Sequence, residues 1–213
     1  MRHRVLDPID RNSEILFGLF MVLSFTGALS VASAGEKEVR EMLVAAIGCN
    51  LAWGFVDGVM FVLRSIVVRA RQAKLWQMVV SGEKPEAVHG LIAQEIGPLA
   101  ASLGAPDFER TRQWIVAQPA GVAPRAAVTR QDLLGGLGVF LLVFGSTFPP
   151  TLPFLIFDEL RTAMRVSAAI AVAIMFLCGY EWGRFAGMKP LRSALAMVVL
   201  GAAVEAVIIA LGG

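Results

Sequence analysis

Charge is what this sequence has least of. Asp, Glu, Lys and Arg make up 17% of its 213 residues, where a typical soluble domain carries roughly 25%. Hydrophobic residues reach 56% and the mean hydropathy is +0.68, which excludes intrinsic disorder. Cysteine is nearly absent. Cys49 and Cys178 both lie inside apolar runs, so a disulfide scaffold is excluded. The two histidines, His3 and His89, have no metal-ligand spacing around them. No zinc motif, nucleophile triad or glycine-rich phosphate loop is present, so an enzyme is the least expected class and no cofactor is expected. A net charge of +2 is too small for the electrostatic footprint of a nucleic-acid-binding protein.

The charges that exist are segregated. Five windows, 15–35, 42–63, 133–157, 166–180 and 193–213, contain only Asp57 and Glu205 among all the charged residues. A membrane-spanning helix needs about 20 mainly apolar residues. Four windows meet that length, and 166–180 meets it once Met164 and Glu181–Gly183 join it, with Arg165 and Arg184 reaching to the headgroups. The fold class expected is therefore all-α: an integral membrane protein with five transmembrane helices and a lipid bilayer as its surroundings. The organisation expected is 1–66 with helices 1 and 2, a helical cytoplasmic insert over 67–131, and 132–213 with helices 3–5.

A secretory leader competes for the first window, because Ala32-Ser33-Ala34 imitates a cleavage site. The flank is wrong for one: Asp7, Asp10 and Glu14 offset Arg2, Arg4 and Arg11. With the N-terminus inside, 15 of the 19 Lys and Arg fall on the cytoplasmic side and 4 outside, which predicts N-in and C-out. A bacterial inner membrane is the expected location.

Within the insert, 67–81 reads as a continuation of helix 2. A second helix is expected from Lys84 to about Ser102, opened by Pro85 and disturbed by Pro98. A third is expected to start near Pro106, with Asp107 and Glu109 favouring its N-terminus. Pro119 to Pro124 reads as a linker, and Thr129 with Asp132 has the spacing of a capping box for helix 3. Three short helices cannot build a large core alone, so packing on each other or on a partner is expected.

Asp57 is the sharpest residue in the chain. A charged side chain at a helix centre costs roughly 2.5–3.5 kcal/mol on insertion scales, so it normally faces a bundle interior or a wet cavity. Helical spacing aligns Asn50, Gly54, Asp57, Phe61 and Arg64, with Trp53 and Met60 beside them. Two readings follow: this stripe lines an ion path, or Asp57 is a structural carboxyl that fixes packing. Glu205 has small residues, Gly201 and Ala202, one turn before it, so its face is expected to be buried. It is a ligand or a carboxylic acid bonded to a backbone carbonyl. Glu14 is expected to open helix 1, where the helix dipole favours a carboxylate; the functional alternative is a ligand at the cytoplasmic mouth. Carboxylate with thioether, Glu14 with Met21 or Asp57 with Met60, suits a borderline or soft cation. Methionines in an apolar chain also serve simply to fill space. Phe148-Pro149-Pro150-Thr151-Leu152-Pro153 is expected to break helix 3 near its outer end, as a gate or as a fixed kink. Glu181 and Arg184 have i,i+3 spacing and read as a structural pair.

The layout resembles the vacuolar iron transporter family, whose members have five membrane helices and a helical cytoplasmic insert after the second. Leu43-Val44-Ala45-Ala46-Ile47-Gly48-Cys49-Asn50-Leu51-Ala52-Trp53-Gly54 is similar to the family's second helix. Ala126-Ala127, Leu133-Leu134-Gly135-Gly136-Leu137-Gly138 and Pro149-Pro150-Thr151-Leu152-Pro153-Phe154 are similar to its third, and Leu191-Arg192-Ser193-Ala194-Leu195 with Leu200-Gly201-Ala202-Ala203 to its fifth. The resemblance implies a homodimer that transports a divalent metal cation, iron or manganese, with proton coupling as an added expectation. The candidate metal ligands, read from the residues themselves, are Glu14, Asp57, Met60 and Glu205. The chain also departs from the family. Ser13-Glu14 stands where the family has Asp-Gly, and Asp57-Gly58 stands where it has Ser-Met. The family's glutamate-rich insert has no counterpart in 67–82, which holds no acid, and Glu83, Glu86, Glu95 and Glu109 form no tight sequence cluster. The alternative function is a non-transporting membrane protein of this fold whose insert binds a partner or regulates.

Overall fold

The computed structural model describes residues 6–31, 36–81 and 84–210. His3, Ala32-Ser33-Ala34, Glu83 and Gly212–Gly213 lie outside the described residues. Among the described residues the secondary structure is helical, with no strand. The helices are α1 (Pro8–Val31), α2 (Glu36–Val80), α3 (Pro85–Ile96), α4 (Ala105–Val116), α5 (Arg130–Ser146), α6 (Phe148–Thr151), α7 (Pro153–Ile156), α8 (Leu160–Phe185) and α9 (Pro190–Ala210), with 3-10 turns at Gly97–Ser102 and Ala120–Val122. Four described stretches are long and apolar enough to cross a membrane: Val39–Val80, Arg130–Thr151, Leu160–Phe185 and Pro190–Val207. The chain divides into two compact units, 1–61 with 130–213, and 62–129.

The first unit is built around α1. Leu16, Leu19 and Leu23 recur at helical spacing on one face of α1 and are buried against Ala171, Met175 and Cys178 of α8 and Met197 of α9. Small residues set how closely the other helices approach. Gly179 and Gly183 of α8, four apart, face α9: a Cβ on Gly179 would lie 2.7 Å from Cβ of Met197, and one on Gly183 2.7 Å from Cα of Pro190. That spacing is the small-xxx-small pattern of close helix crossings in lipid. Gly18 of α1 meets the Val143 carbonyl and the Ser146 hydroxyl of α5 in the same way.

The expected helix 3 window divides into α5 and the two short helices α6 and α7. Pro149, Pro150 and Pro153 cannot donate backbone hydrogen bonds, which is why the long helix ends at Ser146. Side-chain hydroxyls fill in. Thr151 Oγ1 donates to the carbonyls of Thr147 and Phe148 at 3.1 and 3.0 Å, and Ser167 Oγ of α8 donates to the Pro150 carbonyl at 2.6 Å.

The second unit has a small core. Val79, Val88, Ile92 and Ile115 are buried together, with Leu75, Trp76, Ile96 and Phe108 packed around them. Trp76 meets Trp114 edge to face, with 6.3 Å between ring centroids. The expected helix from Lys84 to Ser102 is shorter: α3 stops at Ile96 because Gly97 takes a φ of 70°, a left-handed conformation that glycine adopts without strain, and Pro98 follows in a 3-10 turn. α4 begins after Gly104, whose N–H donates to the Asp107 carboxylate at 3.0 Å.

Candidate functional site

The candidate metal ligands Glu14, Asp57, Met60 and Glu205 all belong to the first unit. Glu14 does not open its helix. α1 begins at Pro8, so Asp10 takes the first turn and Glu14 sits two turns in, beyond the reach of the dipole effect that favours a terminal carboxylate. Asp57 is half-buried on α2, and Met60 beside it is 56% exposed. Glu205 lies past the middle of α9 and is half-buried, with Oε2 shut away from solvent. One turn before it, Gly201 packs against Met175 of α8. Neither Asp57 nor Glu205 has a hydrogen-bond or ion-pair partner among the described residues. Among the described residues no three His, Cys, Asp or Glu side chains converge to hold a metal ion.

The α2 stripe that the sequence offers as a path lining is largely a packing seam. Gly54 faces the Phe140 carbonyl and ring of α5, Gly58 faces the Gly136 carbonyl, and the Phe61 ring covers Gly135. Asn50 is fully buried; its Nδ2 donates to Thr147 Oγ1 at 2.9 Å and to the Gly18 carbonyl at 3.4 Å. Its Oδ1 is buried without a partner. Periodicity puts residues on one face but does not say whether that face meets water or a neighbouring helix. Here Gly54 and Gly58 let α5 approach closely along that line, with Asp57 half-buried beside the seam.

In the second unit Glu95 and Glu109 are matched with bases rather than gathered. Arg71 Nε and Glu95 Oε1 are 2.9 Å apart. Glu109 accepts from Arg112 Nε at 2.8 Å, Arg112 Nη2 at 2.7 Å and Gln113 Nε2 at 3.0 Å, and His89 Nε2 lies 3.4 Å away. The Arg112 hydrogen bonds, with smaller contributions from Gln113 and His89, hold the Glu109 carboxyl down at about 2, against a burial effect in the opposite sense. The same pairing raises Arg112. His89 also stacks on Phe108, with centroids 5.8 Å apart. The spacing of His89 and Glu109, on α3 and α4, carries no sequence signal for this contact. Nor does that of Asn50 and Thr147.

No family model matches the chain. Over 59 residues it is 37% identical to "Vacuolar iron transporter 1" of Arabidopsis thaliana. The match takes in 28% of this chain and 24% of that protein, so the chain aligns with about a quarter of the length of this curated relative. The four described helices long and apolar enough to cross a membrane fit an integral membrane protein.

Proposed function

We propose that the chain is a membrane transporter of a divalent metal cation, iron or manganese, acting as a homodimer with proton coupling. The partial likeness to a vacuolar iron transporter carries this reading. In its support, the two acids of the apolar windows, Asp57 and Glu205, stand without partners among the described residues. Ionisable groups kept inside apolar helices are expensive and are normally retained for function. Among the described residues of one chain no three His, Cys, Asp or Glu side chains come together, so in this reading side chains from a second copy complete the ligand set. α2 offers them, with Asp57 half-buried and Met60 exposed. α1 serves as the fifth span in this reading: the stretch from Ile15 to Val31 is free of charge. The orientation proposed is N-in and C-out in a bacterial inner membrane, with 67–131 in the cytoplasm.

A second reading has its own support. The stretch 67–82 has no acid, and Glu95 and Glu109 are engaged by Arg71 and Arg112. A regulatory or partner-binding insert on a non-transporting membrane protein fits that pattern. Metal uptake into proteoliposomes separates the two. Transport predicts manganese or ferrous iron flux in the wild type and its loss in Asp57→Asn, which keeps the shape and hydrogen-bonding capacity of Asp57 but not its titration. Absence of flux in monodisperse, reconstituted wild type would leave the regulatory reading standing.

A further inference from the structure

A cavity of about 850 Å³ opens on the first unit, where α1 begins and α8 ends. Its polar lining is Arg11, Glu181 and Arg184; Leu134 of α5 and Phe185 of α8 supply apolar wall. Arg184 Nη1 is 3.2 Å from Glu181 Oε1, so one of the two guanidiniums already has a carboxylate. Arg11 has none among the described residues, which leaves the cavity one positive charge in excess.

Two guanidiniums against a single carboxylate in the lining favour an oxygen anion. Guanidinium forks match the oxygens of phosphate in particular. The apolar side of the cavity says what else the ligand carries. Leu134 and Phe185 are 46% and 50% exposed beside the charged groups, an arrangement suited to an amphiphile whose phosphate sits at the membrane surface and whose chains run along the helices.

We propose that this cavity binds the phosphodiester headgroup of an anionic phospholipid, with Arg11 as its principal cation. The side fits. Basic pockets between membrane helices on the cytoplasmic face take such headgroups, and the Lys and Arg distribution assigns the start of α1 to that face.

Native mass spectrometry on the full-length protein tests this, with phosphatidylglycerol and phosphatidylcholine offered in equal amounts. Both lipids carry the phosphodiester, but the quaternary ammonium of choline cancels its charge and is repelled by the arginines, so the wild type should retain phosphatidylglycerol over phosphatidylcholine by about tenfold. Arg11→Gln, which breaks no ion pair, should remove most of that preference. Leu134→Asp, at an exposed position, should do the same by setting a carboxylate against the phosphate while both arginines remain. A parallel arm adds inorganic phosphate. Equal retention of the two lipids by the wild type, or a preference unchanged in both variants, would overturn the proposal. So would displacement by inorganic phosphate of an adduct that shows no lipid preference, since the site would then serve the free anion.

Discussion

Two glycines on α2 give a direct test of the seam between α2 and α5. Gly48 and Gly58 lie on the same helix, ten residues apart, and Gly→Ala changes both by one methyl group. In a helix interior that change gains about 0.5–1 kcal/mol, because glycine loses more backbone freedom on folding. At Gly48 nothing lies within 4 Å of the added Cβ, so Gly48→Ala should collect the whole gain. At Gly58 the new Cβ would stand 2.7 Å from the Gly136 carbonyl oxygen and 3.4 Å from its carbon. Those atoms are backbone and cannot swing aside, so α2 and α5 must part by several tenths of an ångström. Overpacking of this kind costs about 1–3 kcal/mol. Subtracting the shared helix gain, Gly58→Ala should end up neutral to about 2.5 kcal/mol destabilised, and the two variants should differ by about 1–3 kcal/mol. Unfolding in detergent, followed by far-ultraviolet circular dichroism against added SDS, reads the difference. Using one helix and one substitution removes the propensity contribution from the comparison. Equal midpoints for the two variants, or a stabilised Gly58→Ala, would refute the close approach of α2 to α5.

Three further outcomes are expected. The Glu109 carboxyl is held below its usual range, so its contribution to stability is present above about 4.5 and is lost as the pH falls toward about 2; carbon NMR of labelled Glu109 should show it still ionised at pH 3.5, and a midpoint near 4.5 would contradict the Arg112 clamp. Asn50→Ala and Thr147→Ala should couple by about 0.6 kcal/mol, with a ceiling of about 1.7, the range of buried hydrogen bonds between membrane helices; a double-mutant cycle measuring zero would remove that bond from the account. A reporter fused to the C-terminus should be active outside the cytoplasm, and activity on the cytoplasmic side would overturn the C-out orientation and the odd span count together.

How much of this was legible in the sequence differs by kind of feature. Helices could be read because apolar length is a one-dimensional property: Val39–Val80 and Pro190–Val207 stand out by hydropathy before any contact is known, whereas Leu160–Phe185 shows only as the short run 166–180. Their ends were harder. α1 begins at Pro8, nearly two turns before Glu14, because the proline's fixed φ suits a first helical turn even in a polar stretch. α3 ends at Gly97 because glycine there takes a left-handed conformation, a signal weaker in sequence than Pro98 beside it. Faces were only half legible. The stripe from Asn50 to Phe61 was visible as a stripe, but its occupant, α5, was not, since Gly135, Gly136 and Phe140 look from sequence like any apolar run. The contacts of Asn50 with Thr147 and of His89 with Glu109 join separate helices, and no local pattern encodes them. Arg11 and Arg184 meet around one cavity from opposite ends of the chain.

The hydroxyl that serves the proline break has a consequence for the order of assembly. Ser167 reaches the Pro150 carbonyl from α8, 17 residues further along the chain. Ribosomes add about 5–20 residues per second, so roughly one to three seconds separate the synthesis of the two partners. During that interval the carbonyl must rely on water or on transient neighbours, which a lipid environment supplies poorly. The α6–α7 segment therefore cannot settle in its final form as it emerges; it waits for the first turns of α8. A chain halted between Pro153 and Ser167 would hold this stretch unfinished near the membrane surface, whereas one halted just after α8 would be able to close it.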